Sequence, residues 1–203
     1  MCADVRKEYR TTANTALAKR GVLTTLGNIG GAFVTVWLGE PLKNALADNF
    51  SETVDGLNGA IIDDADRLQR ATKALDAVYD CRRTLASEVN EEYLSRQISR
   101  SDAQTRLDEL RALTEDDLEL ARRVLSDVGE RNAEFQVAVR EVRRTARTPA
   151  QRKKVEETEL ALQTNQNAFE DSSAQVEEIE VASAGEDFEL AIGKNQILIA
   201  GRL

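Results

Sequence analysis

Histidine is absent from this chain of 203 residues, which also contains only two cysteines, Cys2 and Cys81. Histidine is the commonest general base and the commonest ligand of transition metals, so its absence argues against most acid–base and metal chemistry. A Cys/His metal site is excluded, and two cysteines so far apart in sequence do not predict a disulfide framework. We therefore predict no metal ion, no cofactor and no catalytic residue.

Aromatic residues are scarce as well, at 4% of the chain, and only two prolines occur. This scarcity argues against a thick mixed core, whereas abundant Ala, Leu, Glu and Arg favour long helices that pack along narrow seams. The net charge of -9 disfavours nucleic acid as a partner, because affinity for phosphates needs clustered Lys and Arg. The sequence contains neither a Walker loop nor a G-x-S-x-G motif, so we predict that the protein is not an enzyme.

Apolar residues recur at alternating spacings of three and four over residues 61–93, 118–146 and 155–179. This heptad spacing predicts coiled-coil helices. We expect residues 60–147 to form an antiparallel helical hairpin with a short turn near 97–104. A third coiled-coil helix is expected at 148–184, with a seam that is half polar and so needs a partner surface or several copies.

Local signals predict where these helices begin. Ser101 followed by Gln104 fits a capping box at the start of the second helix. Thr148 followed by Pro149 fits an N-cap and a first helical residue. Within the second helix the seam resumes at Leu118, eleven residues after Leu107, which indicates either a stutter in the supercoil or a helix break at Thr114.

Several polar residues invite a chemical interpretation, and we interpret each as structural. Arg82 and Asn132 occupy seam positions, where a polar residue can specify register at some cost in stability. The acidic clusters at 63–66 and 115–117 match no EF-hand pattern, and we interpret them as solvated helix ends. Cys81 has no histidine to activate it, so it is read as a small residue beside the seam.

Charge is distributed unevenly towards the C-terminal end. Residues 155–193 contain eleven acidic residues and no Lys or Arg. The segment before them carries a basic interaction patch, in which we include Arg140, Arg143, Arg144, Arg147, Arg152, Lys153 and Lys154. The patch could pair with the acidic helix of another chain or with anionic lipid, or both segments could simply be solvated.

The stretch from Gly21 to Gly39 contains no charged residue, although 31% of the whole chain is charged. Its length is close to the twenty residues of a membrane span, but threonines, an asparagine and five glycines dilute its hydrophobicity. A G-x-x-x-G pair lets helix backbones approach closely. We predict a membrane-contacting helix or a buried assembly helix, with a loop as the alternative, and its marker residues are Gly27, Gly30, Gly31, Phe33 and Trp37.

Residues 185–203 differ from the heptad segments before them. Apolar and polar residues alternate around Phe188 and Leu190, and a second apolar run follows Gly193-Lys194-Asn195. This pattern predicts a short C-terminal β-hairpin, with a short apolar helix as the alternative. The predicted fold is therefore all-α and elongated, with residues 1–59 holding an N-terminal helix and the glycine-rich helix, and with the hairpin as a tail.

The glycine-spaced run, preceded by Cys2 and followed by the Arg-rich "YDCRR" at 79–83, resembles glycine-zipper lipoproteins of the bacterial envelope. The resemblance covers roughly residues 2–60 and rests on composition and spacing, since a lipobox is absent. It implies a periplasmic location and a structural role. Cys2 is then either the lipidated first residue of the mature protein or an incidental cysteine near the terminus.

These features together predict a self-associating coiled-coil component of a bacterial-type cell envelope. We expect a homo-oligomer that binds protein partners through its coiled-coil faces and contacts a membrane. One alternative is a helical pore former that shelters its apolar segment until assembly. Another is a soluble cytoplasmic scaffold, in which protein covers the apolar segment completely.

Overall fold

The computed structural model describes residues 2–17 and 40–191 of the chain. Within these residues the fold is all-helical, as predicted, and contains no strand. The elements are α1 (Cys2–Leu17), α2 (Glu40–Leu94), α3 (Arg100–Thr145), α4 (Pro149–Ala184) and a 3-10 helix (Glu186–Phe188). At 1.5 Å per residue, α3 alone is about 69 Å long.

The three long helices α2, α3 and α4 each pack against the other two, and α1 packs onto α2 and α3. Buried apolar residues form two clusters, one beneath α1 and the other towards the α3–α4 joint. Because each long helix packs against two other long helices, its apolar face must be wider than that of a helix in a two-stranded coiled coil. Residues beside the heptad seam are buried for this reason, among them Ala71, Val78, Val124, Ala138 and Ala161.

The ends of the helices follow local capping chemistry. Thr148 accepts a hydrogen bond from the backbone N–H of Gln151, whose side chain accepts from Thr148 in return, so the predicted start of α4 is confirmed. The predicted cap of α3 at Ser101 is wrong. Ser99 is the N-cap, with its Oγ 3.1 Å from the backbone nitrogen of Asp102. Ser99 and Asp102 have capping-box spacing too, and they lie two residues closer to the end of α2.

Helix α2 begins at Glu40, about 20 residues earlier than the sequence pattern predicted. The seam does continue upstream, through Leu42, Leu46, Phe50, Val54 and Leu57, all of them buried. Asn49 interrupts the helix with φ -148° and ψ 74°. Beyond this kink the chain folds back, since the Thr53 hydroxyl donates to the carbonyl of Ala45 at 3.2 Å, whereas residues eight apart in a straight helix are separated by about 12 Å.

Helix α3 runs without a break through Thr114, so the skip in its seam does not divide it. The half-polar seam of α4 is covered by its own chain: Asn165 is buried and donates from Nδ2 to the carbonyl of Ile61 at 2.9 Å. The partner surface predicted for α4 is therefore supplied by α2 and α3. The need for further copies of the chain, inferred from that polar seam, does not follow from this packing.

The described part of the predicted C-terminal hairpin, residues 185–191, forms no strand, and residues 192–203 lie outside the described part of the chain. Instead, Phe188 is completely buried and its ring packs edge-on against Tyr79, with the centroids 6.2 Å apart. The Asn90 side chain binds the backbone just after Phe188. It donates to the carbonyl of Glu189 at 3.0 Å and accepts from the backbone N–H of Ala191 at 2.8 Å. Docking on α2 satisfies these backbone groups in place of strand pairing.

Candidate functional site

A disulfide joins Cys2 of α1 to Cys81 of α2, across 79 positions of sequence, with the two Cα atoms 5.7 Å apart. The sequence did not predict it. Helix α1 lies along α2, and this packing brings the two cysteines together. One sulfur cannot form both a disulfide and a thioether to lipid, so in this structure Cys2 is not a lipidation site.

Three residues on one face of α1 are buried: Tyr9, Ala13 and Ala16, at 1%, 0% and 1% exposure. The two alanines have small side chains, which lets α1 approach the long helices closely. Tyr9 places its ring in the core and donates its hydroxyl to the backbone carbonyl of Asp117 at 2.8 Å. Helix α1 is thus held by apolar burial, by a hydrogen bond and by a covalent bond.

Asp117, completely buried in α3, is the centre of a charged cluster that we call the Asp117 cluster. It forms an ion pair with the buried Arg82 of α2, and it accepts from Arg6 Nε at 2.9 Å and from Arg10 Nε at 3.4 Å. Arg82 also donates to the hydroxyl of Thr114 at 3.2 Å. The interpretation of residues 115–117 as solvated is therefore wrong for Asp117, which supplies the buried counterion that Arg82 requires, whereas Glu115 and Asp116 are exposed.

The electrostatics of the Asp117 cluster favour a structural role. Burial lowers the pKa of Arg82, and the hydrogen bond and charge of Asp117 act in the opposite direction. Burial raises the pKa of Tyr9, and the charge of Asp117 adds to the effect. Guanidinium groups stay protonated in proteins and a tyrosine with a raised pKa stays neutral, so neither Arg82 nor Tyr9 exchanges a proton near neutral pH.

A second buried ion pair joins α3 to α2 further along the bundle. Arg131 Nε lies 2.8 Å from Asp64 Oδ1, and the same guanidinium pairs with Asp127 and donates to the carbonyl of Ala16 at 3.2 Å. Burial raises the pKa of Asp64, against the opposing effect of Arg131. Among the described residues, no donor forms a hydrogen bond to the second oxygen of Asp64. Asp64 is thus not the solvated residue that the sequence suggested, and its carboxylate is less completely satisfied than that of Asp117.

The basic interaction patch lies at the joint between α3 and α4, and much of its charge is neutralised within the chain. Four of its seven residues pair with acidic side chains, and Arg140, Arg147 and Arg152 make no ion pair within residues 2–17 and 40–191. Glu157 and Glu159, which lie in α4 just after its basic first turns, supply two of the partners. The pairs are Arg143 with Glu159 at 3.3 Å, Arg144 with Glu141 at 3.7 Å, Lys153 with Glu157 at 3.9 Å, and Lys154 with Asp55.

The residues proposed for a membrane or assembly helix, Gly27, Gly30, Gly31, Phe33 and Trp37, lie outside the described residues. Among the helices that the structure does describe, none is long and apolar enough to cross a bilayer. Within the same residues, no three or more cysteine or acidic side chains form a group that could hold a metal ion.

The sequence missed the Asp117 cluster because its members lie far apart in the chain. Arg82 was identified as a polar seam residue, but Arg6 and Asp117 lie more than 30 positions away from it on other helices. The one available signal was a buried cation in need of a counterion. No protein family, curated protein or solved structure matches this chain, so the interpretation of the site depends on its geometry alone.

Proposed function

We propose that this chain is a non-enzymatic structural protein, a rigid coiled-coil component of a bacterial-type cell envelope or envelope complex. The observation that carries the proposal is the disulfide between Cys2 and Cys81. Disulfides persist in oxidising compartments such as the bacterial periplasm, whereas the cytosol keeps thiols reduced. A chain of this size with one long-range disulfide therefore fits a location outside the cytoplasm better than a cytoplasmic scaffold.

Rigidity is supported by the two buried ion pairs between α2 and α3. The Arg82 and Asp64 ends of these pairs lie on α2 about 27 Å apart along the helix axis. A buried pair is costly to break, because it leaves an uncompensated charge in the core. Two such pairs oppose sliding of α2 against α3, which suits a protein that acts as a spacer.

We assign contact with partners to the end of the bundle at the α3–α4 joint. Lys154 pairs with Asp55, close to the point where the hydrogen bond from Thr53 to Ala45 folds α2 back. The uncharged run 21–39 immediately precedes α2 in the sequence. The arginines of the basic interaction patch that make no ion pair within the described residues suit an anionic membrane surface, and self-association would use the same end.

The test begins with the native protein. Cells are treated with a thiol-blocking reagent before lysis and then fractionated. The membrane pellet is washed with alkaline carbonate, and the intact mass of the chain is measured. The proposal predicts an extracytoplasmic chain with no blocked thiol and no lipid on Cys2. Two blocked thiols in the cytosolic fraction would contradict it and favour the scaffold, and a lipid mass on Cys2 would contradict the disulfide.

Membrane contact is tested separately with vesicles. Co-sedimentation with phosphatidylglycerol vesicles is compared for the wild-type chain and for a triple Gln variant of Arg140, Arg147 and Arg152. A matched triple Gln variant of the exposed Arg70, Arg83 and Arg123 controls for net charge. Weaker binding of the first variant alone supports contact at this end, while equal weakening of both, or no binding at all, contradicts it. Leakage of vesicle contents would favour the pore-forming alternative.

A further inference from the structure

A cavity of about 290 Å³ opens at the opposite end of the bundle, near the α2–α3 turn. The end of α2 contributes Tyr93, and the first turns of α3 contribute Arg100, Gln104 and Arg111. Residues 188–191 close the remaining side. The cavity thus has a cationic wall on α3 and a partly apolar wall formed by Tyr93 and the segment after α4.

Arg111 is a half-buried cation without an acidic partner. In the part of the chain that the structure describes, its only hydrogen bond runs from Nη2 to the carbonyl of Phe188 at 3.2 Å, and its Nε is buried with no acceptor. The other arginines buried in the bundle, Arg82 and Arg131, each form an ion pair with a buried aspartate. Arg111 differs from them in being half-buried and in having no acidic partner within the described residues, so its guanidinium can accept an anion from outside the chain.

A second cation faces the same space. Arg100, the first residue of α3, also lines the cavity and makes no ion pair within the described residues. One acid, the exposed Glu189, lines the cavity too, and it forms no ion pair with either arginine. The two guanidinium groups therefore leave a net positive charge on this cavity.

The walls of the cavity are held in place before any ligand binds. Asn90 binds the backbone on both sides of Leu190, and Tyr79 donates its hydroxyl to the carboxylate of Asp187. Phe188 is completely buried. A wall fixed by side chains at several points needs little ordering when a ligand enters, which lowers the cost of binding.

We propose that this cavity binds a small organic monocarboxylate that carries a short apolar group. The carboxylate pairs with Arg111 and Arg100, and the guanidinium fork suits bidentate recognition of a carboxylate. The apolar group lies against Tyr93 and Leu190. The volume is at the lower end for ligand pockets, so a ligand of a few carbons fits better than a lipid. This binding activity is separate from the envelope role proposed above.

The experiment is a titration of the oxidised, full-length chain with hexanoate, followed by backbone amide shifts in NMR. Saturable shifts are expected at Arg100, Gln104, Arg111 and Leu190. Hexanamide, the neutral analogue, should bind at least about tenfold more weakly, because it lacks the charge-assisted hydrogen bonds. The absence of saturable shifts, or equal binding of hexanamide or inorganic phosphate, would overturn the proposal.

Substitutions then assign the binding to these arginines. Arg111→Gln should weaken hexanoate binding about tenfold, and Arg83→Gln, an exposed arginine elsewhere on α2, should leave it unchanged. Since Arg111 is half-buried, Arg100→Gln serves as a second variant that keeps the fold, and it should weaken binding several-fold. Unchanged affinity in Arg100→Gln together with an unchanged or unfolded Arg111→Gln would refute the assignment.

Discussion

The two ends of this bundle each contain a buried aspartate, and the two aspartates differ in how their charge is compensated. Near the α2–α3 turn, Asp117 receives three guanidinium groups and is covered by a helix that a disulfide fastens in place. Towards the α3–α4 joint, Asp64 shares one arginine with Asp127, and its second oxygen accepts no hydrogen bond within residues 2–17 and 40–191. The carboxylate of Asp117 thus pairs with three cations, and among the described residues that of Asp64 pairs with one.

This difference shows what α1 contributes to the molecule. Its arginines, Arg6 and Arg10, complete the Asp117 cluster, and its last turn reaches Arg131 only through the carbonyl of Ala16. Helix α1 therefore stabilises one end of the bundle strongly and the other weakly. We expect the two ends to respond differently to substitution, to reduction and to pH.

The largest effect is expected from Asp117→Asn. The change leaves Arg82 buried without its counterion, which should lower the free energy of unfolding by about 3–5 kcal/mol in urea titrations. Asp116→Asn is the matched control, because that carboxylate is 56% exposed. The control should cost less than about 1 kcal/mol. Similar losses of unfolding free energy in both variants would mean that the buried carboxylate of Asp117 stabilises the bundle no more than the exposed Asp116 does.

Removal of the disulfide should come next. Cys2→Ser should lower the free energy of unfolding by about 2–5 kcal/mol, since the bond closes a long loop in the unfolded chain. Amide hydrogens of α1 should exchange faster, while those of α4 keep their protection. Chemically reduced wild-type protein should behave like the variant. Equal stability of oxidised wild type and Cys2→Ser would contradict this account of α1.

The pH dependence tests the other end of the bundle. Burial raises the pKa of Asp64 in the folded state above its ordinary value of 3.8. The folded state therefore binds the proton of the Asp64 carboxyl more tightly than the unfolded state does. This proton binding stabilises the folded state fully below the pKa of the unfolded state, and the stabilisation is lost as pH rises through the pKa of the folded state. The free energy of unfolding of wild type relative to Asp64→Asn should therefore fall as pH rises from about 3 towards 7. If the difference in unfolding free energy between wild type and Asp64→Asn stayed constant or grew with pH, the raised pKa of Asp64 would be disproved.

The smallest effects are expected at the helix caps, one at each end of the bundle. Ser99→Ala and Thr148→Ala should each lower the free energy of unfolding by about 1 kcal/mol, because each removes an acceptor from a helix start. Ser101→Ala should have little effect, since Ser101 lies inside α3. If Ser101→Ala cost more than Ser99→Ala, the start of α3 would be where the sequence pattern first suggested.

Features that depend on near neighbours in sequence were predictable. The heptad residues of 61–93, 118–146 and 155–179 are mostly buried, because helical periodicity decides which face of a helix is apolar. The cap at Thr148 was predictable for the same reason, since its partner Gln151 is three residues away. Errors arose where two local signals competed, as with Ser99 and Ser101, or where a weaker seam continued upstream of residue 60.

The candidate site was less predictable, because its chemistry depends on residues from different helices. Asp64 and Asp117 lie in acidic runs that look solvated in sequence, and only their opposing arginines explain their burial. The cysteines gave no sign of pairing, because their separation along the chain carries no information about their distance in space. The cationic cavity near Arg111 likewise required the docking of residues 186–191, which the sequence suggested as part of a hairpin.

The sequence by itself determined that this protein is helical, that its long helices pack along apolar seams, and that histidine-based chemistry is excluded. Each of these properties follows from composition or from a period of three to four residues. Only the tertiary structure decided that α1 is fastened by Cys2 and Cys81, that Asp117 is buried among arginines, and that Arg111 has no acidic partner among the described residues. The physical reason is that a charge in a low-dielectric core is stabilised by whichever groups surround it, and packing brings those groups together from distant parts of the chain.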